Sequence, residues 1–169
     1  GRTLGVFTAL MMGENTVMVG NAGYAFLARY VKTLPDVEMV SIYSNPREAS
    51  TYVNGLEIKS YLKRTDGEYW KILDFQFLEG RPLTADDESN ANFVCVINEA
   101  TRIKLFGEEP AVGKIVEYDR QRFRVCGVVR NIPLYRQVPF ADIWVPVSTT
   151  PDDDYKERLT GGFNGLILA

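Results

Sequence analysis

The sequence predicts an α+β fold in which a β-α-β layer is interrupted by an inserted, mostly antiparallel β subdomain carrying short helices. Three observations carry this reading. A helix-periodic stretch lies between two apolar runs near the start of the chain, and an Asn54-Gly55 hairpin then opens a series of short strands. The apolar run Phe163 to Ala169 has no partner of its own and must return to an earlier strand.

Leu4 to Met12 reads as the opening strand, ended by a turn at Gly13-Glu14-Asn15. The first helix is expected to start at Asn21 as N-cap. It presents Tyr24, Leu27, Ala28, Val31 and Leu34 on one face and stops before Pro35. Val37 to Tyr43 is β-rich and closes the β-α-β unit by a crossover. Ser44-Asn45-Pro46 breaks the pattern, so residues 1–45 are read as the first part of an α/β subdomain, 46–147 as the inserted β subdomain, and 148–169 as a return strand to the first part.

Within the insert, Thr51 to Val53 and Leu56 to Ile58 flank Asn54-Gly55, which supplies positive φ at both centres of a type I′ turn. Asp66-Gly67 precedes a short helix with Tyr69, Ile72 and Leu73 apolar, and Glu79-Gly80-Arg81-Pro82 forces a turn. Asp86 to Asn92 reads as a polar loop and Phe93 to Ile97 as a fully buried strand. Asn98 then caps a helix that has Glu99 at its dipole-favoured start and ends at Gly107. Val112 to Tyr118 and Gln121 to Val129 form a second hairpin about Asp119-Arg120. Asn131 to Phe140, with Pro133 and Pro139, is a loop. Ala141 to Val147 is a strand that Pro146 assigns to a sheet edge or a bulge. The closing strand is expected to pair with the strand near Leu4, which would bring the termini together.

A chain of 169 residues with 46% hydrophobic side chains can bury a core without staples. Nineteen basic residues against twenty-two acidic ones, interleaved along the chain, argue against a nucleic-acid partner. The absence of histidine removes the commonest general base, zinc ligand and pH switch together. No phosphate-binding glycine loop, serine-nucleophile motif or CxxC pair is present, so no cofactor, metal or catalytic residue is assigned. Cys95 and Cys126 sit in β-branched runs and read as small core hydrophobes, although the sequence leaves a disulfide open. Asp152-Asp153-Asp154 reads as a solvated loop, lacking the glycine and distal glutamate of a calcium loop.

No apolar run approaches the length of a membrane helix, and the chain starts Gly1-Arg2, so it is expected to be a soluble segment of a longer protein. Most aromatics fall at core spacing. The exception is Ile132-Pro133-Leu134-Tyr135, bulky residues in a loop beside Arg136, read as a candidate partner contact. Two other functions are compatible with composition: a stand-alone extracellular module binding glycans or peptides through its Tyr and Trp, and a hydrolase using Asp86, Asp87 and Glu99.

A set of ordered landmarks resembles a known family. Leu34-Pro35-Asp36-Val37 is followed by Asp66-Gly67-Glu68-Tyr69-Trp70, Phe77-Leu78-Glu79-Gly80-Arg81-Pro82-Leu83, Val96-Ile97-Asn98-Glu99-Ala100, Lys104-Leu105-Phe106-Gly107, Ala111-Val112-Gly113-Lys114-Ile115 and Val125-Cys126-Gly127-Val128-Val129. Their order and spacing over roughly residues 34–147 resemble the MacB-like periplasmic core domain of FtsX-like ABC transporter permeases. The resemblance implies a non-catalytic domain on the periplasmic face of a bacterial inner membrane, inserted after a permease's first membrane helix. It implies a second permease copy, a cytoplasmic ATPase and a periplasmic protein as partners, and work that couples ATP hydrolysis to export or partner engagement. Family members continue beyond the point where this chain stops at Leu166 to Ala169, which implies that the return part is incomplete, and they carry aliphatic residues at the two cysteine positions.

Overall fold

The computed structural model describes residues 8–13 and 16–168. Among the described residues the strands form one mixed sheet of eleven, ordered β1-β2-β11-β3-β5-β10-β7-β9-β6, with β4 hydrogen-bonded to β5 and β8 to β9. The α+β class is as the sequence predicts, and the connectivity differs from expectation in specific places.

β1 (Thr8–Gly13) and β2 (Thr16–Ala22) form an antiparallel hairpin. β2 fills the stretch between the expected turn at Gly13-Glu14-Asn15 and the expected helix, where no strand is expected from sequence; the part of the expected opening strand before Thr8 lies outside the described residues. Helix α1 (Tyr24–Arg29) starts at Gly23 rather than Asn21. Asn21 is still in β2, at φ 54°, and its backbone N–H donates to Asn164 Oδ1 at 3.0 Å, so it shapes a bend instead of capping a helix. A 3₁₀ turn, Val31–Thr33, completes the segment before Pro35.

β3 (Met39–Ser44) and β2 lie parallel on either side of β11 (Phe163–Leu168), which runs antiparallel to both. A crossover through α1 therefore exists, but it joins β2 to β3 rather than the expected opening strand to β3, and it is split by the closing strand. This corrects the expected pairing of the last strand with the first: β2 stands between them. Because β1 and β11 both run antiparallel to β2, Thr8 and Leu168 lie at opposite ends of their strands, not together. Burial explains the placement, since Leu166 is inaccessible and only an interior strand buries both faces.

β4 (Arg47–Val53) and β5 (Leu56–Thr65) form the predicted hairpin, with Asn54 and Gly55 at φ 51° and 79°. After α2 (Glu68–Ile72) comes β6 (Phe77–Gly80), a short edge strand with half-exposed residues alternating along it. The expected polar loop after it contains helix α3 (Ala85–Ser89). Thr84 and Asp87 form a reciprocal capping box there, and Asp87 is buried. β7 (Val94–Asn98), α4 (Glu99–Phe106), β8 (Ile115–Tyr118) and β9 (Gln121–Val129) follow the prediction, with Asn98 accepting the Thr101 N–H as N-cap. Phe93, expected inside the buried strand, precedes it and stays half exposed, stacked on Phe123.

β10 (Ile143–Pro146) overturns the edge-strand expectation. It lies between β5 and β7 with every residue buried. Pro146 is tolerated because pairing to β7 ends at Trp144, so the proline lies past the two-sided part of the strand. Its residues alternate between two cores: Ile143 and Val145 join Leu62, Ile97, Phe123 and Val125 on one face, while Trp144 joins Tyr69, Trp70 and Val96 on the other. The same alternation sends Cys95 to the first core and Cys126 to the second, so the thiols remain free on opposite sides of the sheet. A third core gathers under α1, where Tyr24 and Phe163 pack on Tyr155. Tyr155 is carried by a 3₁₀ turn, Asp153–Glu157, capped by the Asp152 carboxylate, so the acidic run is a capped turn with exposed carboxylates.

Candidate functional site

The loop from Asn131 to Ala141 links β9 to β10, and two prolines keep it out of regular structure. It is nevertheless held firmly. The Arg136 N–H donates to the Pro133 carbonyl at 2.9 Å and the Phe140 N–H to the Arg136 carbonyl at 3.0 Å, closing two successive turns. From below, the Lys63 ammonium donates to the carbonyls of Gln137 at 3.1 Å and Val138 at 2.6 Å, and the Tyr69 hydroxyl donates to Val138 at 2.6 Å. Ile132 packs into the aromatic core and Val138 is buried, so both ends of the tip are anchored.

Lys63 is 1% exposed and its ammonium lies 5.5 Å and 5.8 Å from the ring centres of Tyr43 and Tyr69. Among the described residues it makes no ion pair with a carboxylate. Burial lowers its pKa to about 7, because the charged form loses its hydration. The same burial pushes the Tyr69 phenol upward, which keeps its hydroxyl a hydrogen-bond donor.

Of the five residues singled out from sequence, Ile132 is half buried in the core, and Pro133, Leu134, Tyr135 and Arg136 are exposed at the tip. Leu134 is 67% exposed and Tyr135 83%, so their apolar surface is presented to solvent on a pinned backbone. Beside them opens a cavity of about 500 Å³ whose apolar lining includes Met18 of β2, Leu166 of β11 and Ile72 and Leu73 at the end of α2. None of these four reads as a contact residue in the sequence, since each fits a core pattern, and they meet only because β2, β11 and α2 converge. Lys63 left no sequence signal either: a lysine in an alternating strand reads as solvent-facing.

The three carboxylates of the hydrolase alternative are dispersed in role. Asp87 accepts bonds from Arg81, Asn92 and the Thr84 backbone. Burial pushes its carboxyl up, yet these donors outweigh that and leave it below the ordinary range. Asp86 is exposed, and Glu99 sits in the first turn of α4. The aromatic groove imagined for glycans is instead interior: Trp70 and Trp144 pack edge to face at 5.6 Å, and Trp144 is inaccessible. Among the described residues, no three His, Cys, Asp or Glu side chains are grouped as metal ligands, and no helix is long and apolar enough to cross a membrane.

Comparison with known proteins gives a consistent picture. The family described as MacB-like periplasmic core domain matches residues 6–167. An uncharacterised ABC transporter permease of Bacillus subtilis (strain 168), YvrN, is 32% identical over 103 residues, covering 60% of this chain and 25% of that protein. The macrolide export ATP-binding/permease protein MacB of Aggregatibacter actinomycetemcomitans is 36% identical over 64 residues, 38% of this chain and 10% of the relative. The matched region thus spans a quarter or less of these curated relatives. Among solved structures, the periplasmic region of MacB from Actinobacillus actinomycetemcomitans superposes with a TM-score of 0.69 at 20% identity, over 92% of this chain and 75% of that one. The extracellular domain of the ABC-type transporter YknZ from Gram-positive bacteria gives 0.63 at 20% identity, over 81% and 67%. Both structural likenesses concern the fold.

Proposed function

The chain belongs to the MacB-like periplasmic core domains, and from that premise we propose that it is the extracytoplasmic domain of an ABC transporter permease, coupling cytoplasmic ATP hydrolysis to export or partner engagement outside the membrane. The observation that carries this reading is the family match over residues 6–167, which takes in the described sheet except its last residue, Leu168. In the parent assembly the domain works beside a second permease copy and a cytoplasmic ATPase, and it meets a periplasmic protein through the tip formed by Pro133, Leu134, Tyr135 and Arg136. It has no catalytic task of its own. The division into 1–45 with 148–169 and an inserted 46–147 gives the coupling a mechanical element, because β3 and β5 share a single register pair, Tyr43 opposite Thr65. A narrow seam of this kind lets two parts of a sheet tilt against each other.

The reading is tested in the intact permease, reconstituted with its ATPase. Protease added to spheroplasts, with the outer membrane opened and the inner membrane sealed, should cleave within this domain, and Leu134→Gly with Tyr135→Ser should leave basal ATP hydrolysis unchanged while abolishing export. Protection from external protease would overturn the placement, and undiminished export by the double variant would overturn the contact role.

A further inference from the structure

The cavity beside Tyr135 combines an apolar floor with a single charged residue in its lining, Arg136. None of the ion pairs among the described residues uses Arg136. The cavity lining holds this one cation and no carboxylate, so the tip presents a local positive charge beside apolar surface on a protein whose net charge is -3. A guanidinium offers planar paired donors suited to a carboxylate, and one with no carboxylate partner among the described residues, beside an apolar pocket, is arranged to take that partner from outside. The backbone that presents it is already ordered by Lys63 and Tyr69, so little entropy remains to be lost on docking.

We infer that this groove receives a segment of a partner protein through an acidic side chain flanked by apolar ones, the carboxylate on Arg136 and the apolar neighbours between Tyr135 and the half-buried floor made by Met18, Ile72 and Leu73. The inference rests on the reading of the tip as a partner contact and adds the chemistry of what binds there. A volume of about 500 Å³ accommodates two or three side chains, the scale of a short anchoring motif rather than a folded domain.

The test uses the 169-residue chain and two fluorescent twelve-residue peptides, one alternating leucine with glutamate and one alternating leucine with lysine. The glutamate peptide should bind, weaken at least tenfold with Arg136→Glu and with Leu134→Ala/Tyr135→Ala, and weaken as salt is raised; the lysine peptide should bind only the Arg136→Glu variant. Backbone amide spectra check that each variant is folded and locate the peptide, and Arg136→Gln replaces the charge reversal if that variant unfolds. The inference is overturned if the glutamate peptide fails to bind, if Arg136→Glu or Arg136→Gln leaves its affinity within twofold, or if its shifts lie away from the groove. It is equally overturned if phosphatidylglycerol vesicles bind through Arg136 while neither peptide does. In the intact permease, loss of export by the Leu134/Tyr135 double variant with full export by Arg136→Glu would sink this inference alone. Full export by both would remove the contact role itself.

Discussion

At the scale of single residues, Lys63 is the group whose environment differs most from what its type suggests. Its ammonium is buried with two backbone carbonyls and two aromatic rings for company, and its pKa falls to about 7 from an ordinary value of 10.5. Between those two values the unfolded chain still holds a proton that the folded chain has released. Raising the pH from 7 to 9 therefore stabilises the fold, by at most about 1.4 kcal/mol per pH unit. Below pH 7 both states are protonated and this dependence stops. Urea midpoints at pH 7 and 9 check it: the wild-type midpoint should rise relative to that of Lys63→Met, and parallel midpoints would contradict it. The same variant removes the bonds to Gln137 and Val138, so the Phe140 amide in the adjoining turn should exchange with solvent at least tenfold faster. Nothing in the sequence marks this role, because a strand lysine acquires it only when a loop more than seventy residues away closes over it.

At the scale of elements, the turn after β6 shows why a family landmark has its residues. Gly80 sits at φ 64°, and a Cβ there would fall 2.0 Å from the backbone carbonyl of Cys126. That carbonyl belongs to β9 and accepts the Arg81 N–H at 2.9 Å, so it cannot move aside. Gly127 makes the reciprocal approach to the Arg81 carbonyl, at 2.3 Å from the position a Cβ would take. Arg81 then reaches Asp87, which caps α3. The predicted Glu79 to Pro82 turn was legible from its glycine and proline, whereas the helix beyond it was not. Five residues with three carboxylates read as solvent-exposed until Arg81, Asn92 and Thr84 converge on one of them. Gly80→Ala should cost about 3 kcal/mol or more, since both the positive φ and the backbone clash oppose it. Chemical denaturation measures this, and a loss below about 1 kcal/mol would mean that the strands can separate without penalty.

At the scale of the whole molecule, the seam between β3 and β5 is the place where the continuous sheet is thinnest. Asp66 reinforces it: its carboxylate accepts from Ser41 Oγ at 2.9 Å, the Ile42 N–H at 2.7 Å and the Tyr69 N–H at 3.1 Å, joining β3, β5 and α2. Asp66→Ala leaves buried donors without an acceptor and should cost about 3 kcal/mol. Its signature should be local, with the Ile42 amide losing protection while amides in the centre of β9 keep theirs; equal loss in both would place the weakness elsewhere. By itself the sequence determined the α+β class, the two hairpins about Asn54-Gly55 and Asp119-Arg120, the capped helix at Asn98 and the exposed tip at Leu134 and Tyr135. Each of these is fixed by signals within a few residues: positive-φ turn residues, a capping side chain, a proline-bounded apolar run. Tertiary structure alone decided that the last strand lies between β2 and β3, that the Pro146 strand is central, that Lys63 and Asp66 are interior, and that Arg136 stands beside an apolar cavity. Those outcomes depend on which distant faces must be covered together, and strand order follows from that shared burial, which no local window of sequence contains.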